Sequence, residues 1–241
     1  MGDAPSVEVV PRAQMDRRTA AAGVLGVCVG AGGLALHRYL RTRRAERLEA
    51  VARGIVGAAY TAVAKGTATC CVTPAGKDSR VDMGYTDADR ALGAQSGSDL
   101  GLGCGNPVAL AKLEEGETVV DLGCGAGIDC ILAVARVGDR GRAIGVDMVP
   151  EMLARAKMAA AKVGAVGQTD FRLGEIENLP VADGVADAVI SNCVLNLSAD
   201  KLRVLRECYR VLRGGGRLAF SDVVETAPLP ERLKSEAALA C

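Results

Sequence analysis

Tryptophan is absent from this 241-residue sequence, which holds only two phenylalanines and four tyrosines. Proteins that bind single-stranded nucleic acid stack the bases on aromatic side chains, and this chain offers few of them. The 29 basic and 29 acidic side chains balance, so the net charge gives no reason to expect a polyanionic partner. We therefore predict that the chain has no nucleic-acid partner.

Histidine is nearly absent as well, because His37 is the only one in the chain. It follows an apolar N-terminal segment, so the rest of the chain contains no imidazole. This excludes a Ser-His or Cys-His dyad from the main part of the chain, and it excludes a site with two histidine metal ligands.

The sequence has nine cysteines but no C-x-x-C pair. This spacing argues against a zinc ribbon, a thioredoxin-like dithiol and an iron–sulfur cluster, and we predict no metal site. An odd number of cysteines excludes a complete set of internal disulfides. Free thiols in a reducing compartment are the simpler interpretation.

Residues 1–45 are predicted to be a leader, of which residues 1–18 are polar and expected to be disordered. Residues 19–36 carry no charge and reach the lower length limit of a membrane-spanning helix, and the basic residues after them favour a cytoplasmic main domain. Alanine and glycine dominate this segment, so its insertion is marginal, and an Arg-rich organelle-targeting leader has a similar composition. We predict a cytoplasmic protein, with a membrane anchor or a targeting segment at residues 19–36 as open alternatives.

The region 46–100 is predicted to contain a helix followed by cysteine-bearing loops. Residues 44–64 have the amphipathic pattern of a helix. Residues 65–106 are rich in Gly, Ser, Asp and Thr, and we predict that they form long loops.

Residues 101–241 are predicted to form an α/β domain with a doubly wound, Rossmann-like parallel sheet. Five short segments have the character of strands: residues 118–122, 142–147, 170–173, 186–191 and 217–223. Helices are predicted over residues 128–137, from Pro150 to the closing Gly164, and from Asp200 to the glycines at 214–216. Strands and helices that alternate in this way form a parallel sheet with right-handed crossovers.

The first of these strands runs into a glycine loop, residues 123–127, and a predicted helix follows. Such a loop lets the backbone approach a ligand closely, and the helix directs its first amides at the same point. Asp147 ends the second strand, where a carboxylate can accept both hydroxyls of a ribose. A dinucleotide fingerprint would need glycine at position 128, which is Ile128. Asp121, just before the loop, suits the positive amino group of a methionine moiety and would repel a pyrophosphate, so the residues favour S-adenosylmethionine.

Several cysteines lie in predicted loops: Cys70, Cys71, Cys104, Cys193 and Cys241. Thiolates are soft ligands and select thiophilic acceptors. Cys193 follows the fourth strand, where a doubly wound sheet presents its ligands, so we expect it to face the transferred methyl group. The remaining cysteines are expected to pack as small residues: Cys28, Cys124, Cys130 and Cys208.

The sequence resembles the arsenite methyltransferase family of class I S-adenosylmethionine-dependent methyltransferases. The matching stretches lie between residues 84 and 234: LGLGCGNP, VVDLGCGAGIDC, IGVDMVPEMLARA, FRLGEIENLPVADG, ISNCVLNLSADK, YRVLRGGGRLAFSDVV and LPERL. The two stretches that contain GEIENLPV and SNCVLNL are more specific than the glycine loop. The Cys70-Cys71 pair is an outlying match.

The resemblance implies a set of site residues. It implies that Cys104, Cys193 and Cys241 bind arsenic, and that the family's N-terminal cysteine corresponds to Cys70 or Cys71. It also implies that Glu175 binds the adenine amino group and that Ile176 packs on the ring. The predicted cofactor-binding residues are Asp121, Gly123, Cys124, Gly125, Gly127, Asp147, Met148, Glu175, Ile176 and Asn192.

The resemblance implies methyl transfer from S-adenosylmethionine to trivalent arsenic, and thus arsenic detoxification. Its implied partners are arsenite or its thiol conjugates, with thioredoxin or glutathione as the reductant. One alternative is a methyltransferase that acts on a small organic acceptor such as a quinone or phenol. Another is a truncated arsenite-binding module with little turnover, because class I methyltransferases normally add an antiparallel strand pair after the fifth strand. Without that pair, we expect the fifth strand to be an open edge.

Overall fold

A computed structural model describes the backbone of residues 7–11 and describes residues 50–68 and 83–224 in full. The apolar segment 19–36 and His37 lie outside the described residues, as do Cys28, Cys70, Cys71 and Cys241. Among the helices that the structure describes, none combines the length and apolar content that a bilayer crossing requires.

The described residues form a six-stranded sheet with the strand order β1-β6-β5-β2-β3-β4. The strands are β1 Val7–Pro11, β2 Thr118–Leu122, β3 Arg142–Asp147, β4 Thr169–Leu173, β5 Ala186–Asn192 and β6 Leu212–Ser221. Strands β2 to β6 run parallel, and only β1 is antiparallel to its neighbour, β6. This arrangement confirms the predicted doubly wound α/β fold.

Helices connect the strands and cover both faces of the sheet. They are α1 at residues 50–64, α2 Asp87–Ser96, α3 Pro107–Ala111, α4 Ile128–Val137, α5 Pro150–Lys162 and α6 Lys201–Val211. The helix predicted over 44–64 is confirmed for its described part. Pro150 begins α5 at its first position, and Asp200 caps α6 by accepting a hydrogen bond from the backbone N–H of Arg203.

Alternating strand residues divide the core into two layers, because successive side chains in a strand point to opposite faces. Val119 and Ile190 pack on one face in a cluster with residues of α3, α4 and α5. Val120 and Val189 pack on the other face in a cluster with residues of α6. The central strands are thus buried on both sides, as expected of a parallel sheet.

Three local predictions are wrong. The region 65–106 was expected to be loops, but it contains α2, which begins with a capping box between Thr86 and Asp89. The glycines at 214–216 were expected to precede the last strand, but they lie within β6. Residues 7–11, expected to belong to a disordered segment, form β1.

Strand β1 also corrects the prediction of an open sheet edge. It pairs with β6 from Val7 opposite Ser221 to Pro11 opposite Arg217. The backbone hydrogen-bonding groups along β6 therefore meet a partner strand instead of presenting an unpaired edge.

Candidate active site

The glycine loop between β2 and α4 forms the floor of a pocket at the carboxyl ends of the strands. Gly123, Gly125 and Gly127 have φ values of 64°, 50° and 89°, a backbone region that disfavours other residues. A Cβ atom on Gly123 would lie 2.6 Å from the Val194 side chain, so this position tolerates only glycine. A Cβ on Gly125 would meet no atom within 4 Å, so the loop backbone is open to a ligand there.

Asp147 stands beside this loop at the end of β3. One carboxylate oxygen accepts the Gly125 N–H at 2.8 Å, and the other accepts the Val149 N–H at 2.8 Å. Each oxygen retains further acceptor capacity towards the pocket, as the predicted contact with ribose hydroxyls requires. Burial raises the pKa of Asp147, although the backbone N–H groups oppose the shift. The geometry of the loop and of this carboxylate therefore fits the ribose end of S-adenosylmethionine.

Most of the predicted cofactor residues line one pocket. The lining includes Gly123, Cys124, Gly125, Asp147, Met148, Ile176 and Asn192, together with Cys193. Helix α1 contributes Arg53, Val56 and Tyr60 to the same pocket. The sequence did not indicate that this N-terminal helix would cover the pocket.

Asp121, Gly127 and Glu175 are not among the lining residues of that pocket. Asp121 is 2% exposed and accepts a hydrogen bond from the Cys130 thiol at 3.4 Å. Burial raises its pKa well above the ordinary value, and the nearby Asp129 carboxylate adds to the shift. The structure thus places Asp121 beneath the loop, while Gly127 packs against α5 and β4 through Ala156 and Phe171.

Glu175 lies in the loop after β4, where it forms an ion pair with Arg53 at 3.5 Å. Glu177, two residues later, lines the pocket and accepts a hydrogen bond from Ser198. Ile176 lies between them and faces the pocket. The same short segment therefore offers a second acidic candidate for the adenine amino group.

Asn192 links the cofactor pocket to the loop that carries Cys104 and Gly105, which we call the acceptor loop. Its side-chain amide donates to Asp129 at 3.0 Å and to the Gly105 carbonyl at 3.0 Å. Its oxygen accepts the backbone N–H of Cys104 at 3.0 Å. Tyr85 completes the cluster, with hydrogen bonds to the same amide and to the Gly105 carbonyl.

Asp129 is a pocket residue that the sequence reasoning missed. Burial raises its pKa to about 6, while the hydrogen bonds from Asn192 and Tyr85 lower it. Its position in the sequence could have indicated this role, because Asp129 is the acidic residue in the first turn of the helix that follows the glycine loop. An ionised carboxylate there, facing the pocket, suits a positively charged group of the ligand.

Two predicted arsenic ligands, Cys104 and Cys193, meet at the edge of this pocket. Their sulfur atoms and a carboxylate oxygen of Asp222 all lie within 4.8 Å of one another. A hydrogen bond with Cys193 is the strongest influence on the Cys104 thiol and lowers its pKa, whereas burial and Asp222 act in the opposite direction. Cys193 has a φ of 61°, which is rare outside glycine.

The backbone around Ser221 holds the two thiols together. The Ser221 carbonyl accepts the Cys193 N–H at 2.7 Å and faces the Cys104 thiol at 3.5 Å. A Cβ atom on Gly105 would lie 2.0 Å from the Ser221 hydroxyl oxygen. The acceptor loop can therefore approach the end of β6 this closely only because residue 105 is glycine.

The described cysteines predicted to pack as small residues are buried. Cys124 and Cys130 are 5% and 0% exposed, and both lie close to Gly145 of β3. Cys208 is 0% exposed on α6, and burial raises its pKa to about 12. A thiol that stays protonated in the core is a poor ligand, which separates Cys208 from the loop pair.

A family model described as a methyltransferase domain matches residues 113–241. The chain belongs to this methyltransferase family. The matched range contains the glycine loop, Asp147 and Cys193, and the family confirms the predicted S-adenosylmethionine-dependent core. The roles of the individual residues stay predictions.

Arsenite methyltransferases are among the relatives of this chain. The arsenite methyltransferase of Halobacterium salinarum is 52% identical over 171 residues, which are 71% of this chain and 43% of that protein. The human arsenite methyltransferase is 38% identical over 146 residues, 57% of this chain and 38% of that protein. These matches confirm the predicted resemblance.

A solved structure gives the same picture. The crystal structure of an arsenic(III) S-adenosylmethionine methyltransferase from Chlamydomonas reinhardtii superposes with a TM-score of 0.55 at 39% identity, covering 65% of this chain and 57% of that one. The chain spans less than half the length of the two arsenite methyltransferase relatives named above.

Proposed function

We propose that this chain transfers a methyl group from S-adenosylmethionine to trivalent arsenic held by cysteine thiolates. The observation that carries the proposal is the pairing of Cys104 and Cys193 at the edge of the pocket that the glycine loop and Asp147 line. Arsenite methyltransferase relatives support the choice of acceptor. The third thiolate is expected from Cys70, Cys71 or Cys241.

The residues of the pocket have distinct tasks in this reaction. Bound S-adenosylmethionine supplies a methyl group carried on a positively charged sulfur. Asp147 and the glycine loop hold the ribose end, and Asn192 keeps Cys104 beside the pocket through its backbone N–H. Cys104 and Cys193 hold arsenic with its lone pair directed at the methyl carbon.

Transfer needs positioning more than acid–base chemistry. The arsenic lone pair forms the new bond to carbon, and the electron pair of the breaking carbon–sulfur bond stays on sulfur. No proton moves in this step, so no general base is required. The reaction requires the arsenic atom to lie about 3–3.5 Å from the methyl carbon, in line with the carbon–sulfur bond. The thiol pair would hold arsenic in that position.

The reduced state of the two thiols also bears on where the reaction takes place. Cys104 and Cys193 are not joined in a disulfide, and a reducing compartment keeps such thiols available. We propose the cytoplasm as that compartment, with arsenite or its thiol conjugates as substrate and with thioredoxin or glutathione as reductant.

The test is incubation of the full chain with methyl-labelled cofactor, a thiol reductant and arsenite. We expect labelled methylarsenic, loss of nearly all product in Cys193→Ser, and retention of product in Cys208→Ala, whose thiol lies in the core. Product analysis by mass spectrometry decides the outcome. An equally active Cys193→Ser chain, or label found only on an added quinone or phenol, would show that the acceptor is an organic molecule.

A further inference from the structure

The carboxylate of Asp222 completes a three-sided arrangement with the thiol pair. Asp222 follows β6, Cys193 follows β5 and Cys104 lies in the loop before α3, so three separate segments bring these groups together. Asp222 is 6% exposed. A buried carboxylate is costly unless it is hydrogen-bonded and paired with positive charge.

Backbone hydrogen bonds fix all three groups. The Asp222 carboxylate accepts the N–H groups of Asn196 at 3.0 Å and Val223 at 2.8 Å. The Cys193 N–H is bound to the Ser221 carbonyl, and the Cys104 N–H to the Asn192 side chain. The Asp222 carboxylate and the backbone that carries each thiol are therefore held in place before any ligand arrives, which lowers the entropy cost of binding.

We propose that Cys104, Cys193 and Asp222 form a binding site for a thiophilic divalent cation of the Zn²⁺ class. Tetrahedral zinc with bonds of about 2.3 Å to sulfur and about 2.0–2.2 Å to oxygen places neighbouring ligand atoms roughly 3.4–3.8 Å apart. The three donor atoms already lie within 4.8 Å of one another, so a small closure suffices. Three protein ligands leave a fourth position open for an exchangeable water or thiol.

The cation and arsenic use the same thiols but differ in their need for the carboxylate. Zinc accepts carboxylate oxygen as a ligand beside sulfur, whereas trivalent arsenic as a soft centre prefers thiolate. A bound cation therefore excludes arsenite from the pair and acts as a competitive inhibitor. Removal of the carboxylate therefore weakens binding of the cation and leaves binding of arsenic unchanged.

The experiment uses Co²⁺ as a spectroscopic probe of a tetrahedral zinc site. Co²⁺ is titrated into the full chain without cofactor, under anaerobic conditions and with a reductant that contains no thiol. We expect near-ultraviolet thiolate charge-transfer absorption, loss of this band in Cys104→Ser and Cys193→Ser, and its retention in Cys208→Ala. Asp222→Asn should weaken Co²⁺ binding by at least about tenfold, since loss of even an outer-shell partner of a metal ligand typically costs about 10–100-fold. It should change arsenite affinity by less than about twofold.

Competition completes the design. Arsenite at one equivalent should displace Co²⁺ from the wild-type chain, and Zn²⁺ should bleach the same band. The proposal is overturned if the band persists in Cys193→Ser, if the wild-type chain gives no such band, or if Asp222→Asn leaves Co²⁺ binding intact. Equal weakening of Co²⁺ and arsenite in Asp222→Asn would also overturn it, since Asp222 would then serve only to arrange the thiols. None of these readouts depends on methyl transfer, so the proposed reaction can fail while this site stands.

Discussion

Asp147 carries the strongest residue-level expectation for cofactor binding. Its carboxylate orders the glycine loop through Gly125 and is predicted to bind the ribose hydroxyls. Hydrogen bonds to a charged group contribute about 1.5–3 kcal/mol each. Asp147→Ala should therefore lower the affinity for S-adenosylmethionine, measured by calorimetry, by at least about tenfold.

Asp170→Ala is the matched control for this measurement. Asp170 lies on the neighbouring strand β4, where its side chain is half-exposed and paired with Arg172. The control should bind the cofactor as the wild-type chain does. Unchanged affinity in Asp147→Ala, or a preference of the chain for NAD, would favour the rival dinucleotide assignment.

Asp129 gives a second expectation, on stability against pH. Burial raises its pKa from 3.8 to about 6 in the folded chain, so the folded state retains a proton that the unfolded state has already lost between these pH values. Stability therefore falls as pH rises through this window, by up to about 3 kcal/mol at neutral pH. Asp129→Asn keeps an oxygen that accepts the hydrogen bond from Asn192, and because the amide does not titrate, it removes this pH-dependent loss of stability.

Denaturant unfolding at pH 4 and pH 7 measures the effect, without ligand. The wild-type chain should lose more free energy of unfolding between these pH values than Asp129→Asn does, and the variant should be the more stable at pH 7. Asp170→Asn serves as the exposed control. If the free energy of unfolding depended on pH equally in the wild-type and Asp129→Asn chains, Asp129 would not be the cause of the pH dependence.

At the scale of elements, helix α1 closes the cofactor pocket from outside the sheet. Val63 and Ala64 pack against Val149 and Met152, and Arg53 reaches Glu175 across the pocket rim. Val63 is 9% exposed, whereas Val51 of the same helix is 57% exposed. This contrast supplies a matched pair of variants, one at a buried position and one at an exposed position of the same helix.

Val63→Asp should detach α1, because a buried unpaired carboxylate is costly. We expect a loss of cofactor affinity of roughly tenfold, equivalent to about 1.4 kcal/mol, with the sheet still folded. Val51→Asp should leave affinity unchanged. Calorimetry and limited proteolysis near residues 50–64 measure both effects, and equal cofactor binding by the two variants would show that α1 is not part of the binding site.

The sequence allowed the alternating strands and helices of residues 118–221 to be predicted, because each has local signals. Pro150, Asp200 and the glycine loop mark element boundaries through backbone chemistry alone. The pairing of β1 with β6 and the position of α1 depend on contacts between residues far apart in the chain, which no local pattern encodes. Their partners became visible only in the folded structure.

Part of the candidate site could also be predicted from the sequence. Asp147, Met148 and Ile176 follow strands, and their chain position alone predicts that they line the pocket. Asp121 also borders the glycine loop, yet it is turned into the interior towards Cys130. Asp222 carries no motif of its own, and its place beside the thiols follows from the neighbouring ends of β5 and β6.

In the molecule as a whole, the parallel sheet brings the cofactor pocket and the thiol pair to the same edge. The ends of β2 and β3 supply the glycine loop and Asp147, and the ends of β5 and β6 supply Cys193 and Asp222. Asn192 and Cys193 belong to both regions, because both line the pocket. Asn192 also accepts the backbone N–H of Cys104, and the Cys193 sulfur lies within 4.8 Å of the Cys104 sulfur. A methyl group bound in the pocket would therefore lie close to an atom held by the thiols.

A single turnover measures this transfer most directly. The chain is loaded with one equivalent of arsenite, methyl-labelled S-adenosylmethionine is added, and the products are resolved after rapid quenching. We expect labelled monomethylarsenic at up to one methyl group per chain, with transfer reduced at least about a hundredfold in Cys104→Ser and in Cys193→Ser through lost positioning. Tight arsenite binding without any labelled methylarsenic would contradict the account and leave the chain as an arsenite-binding module.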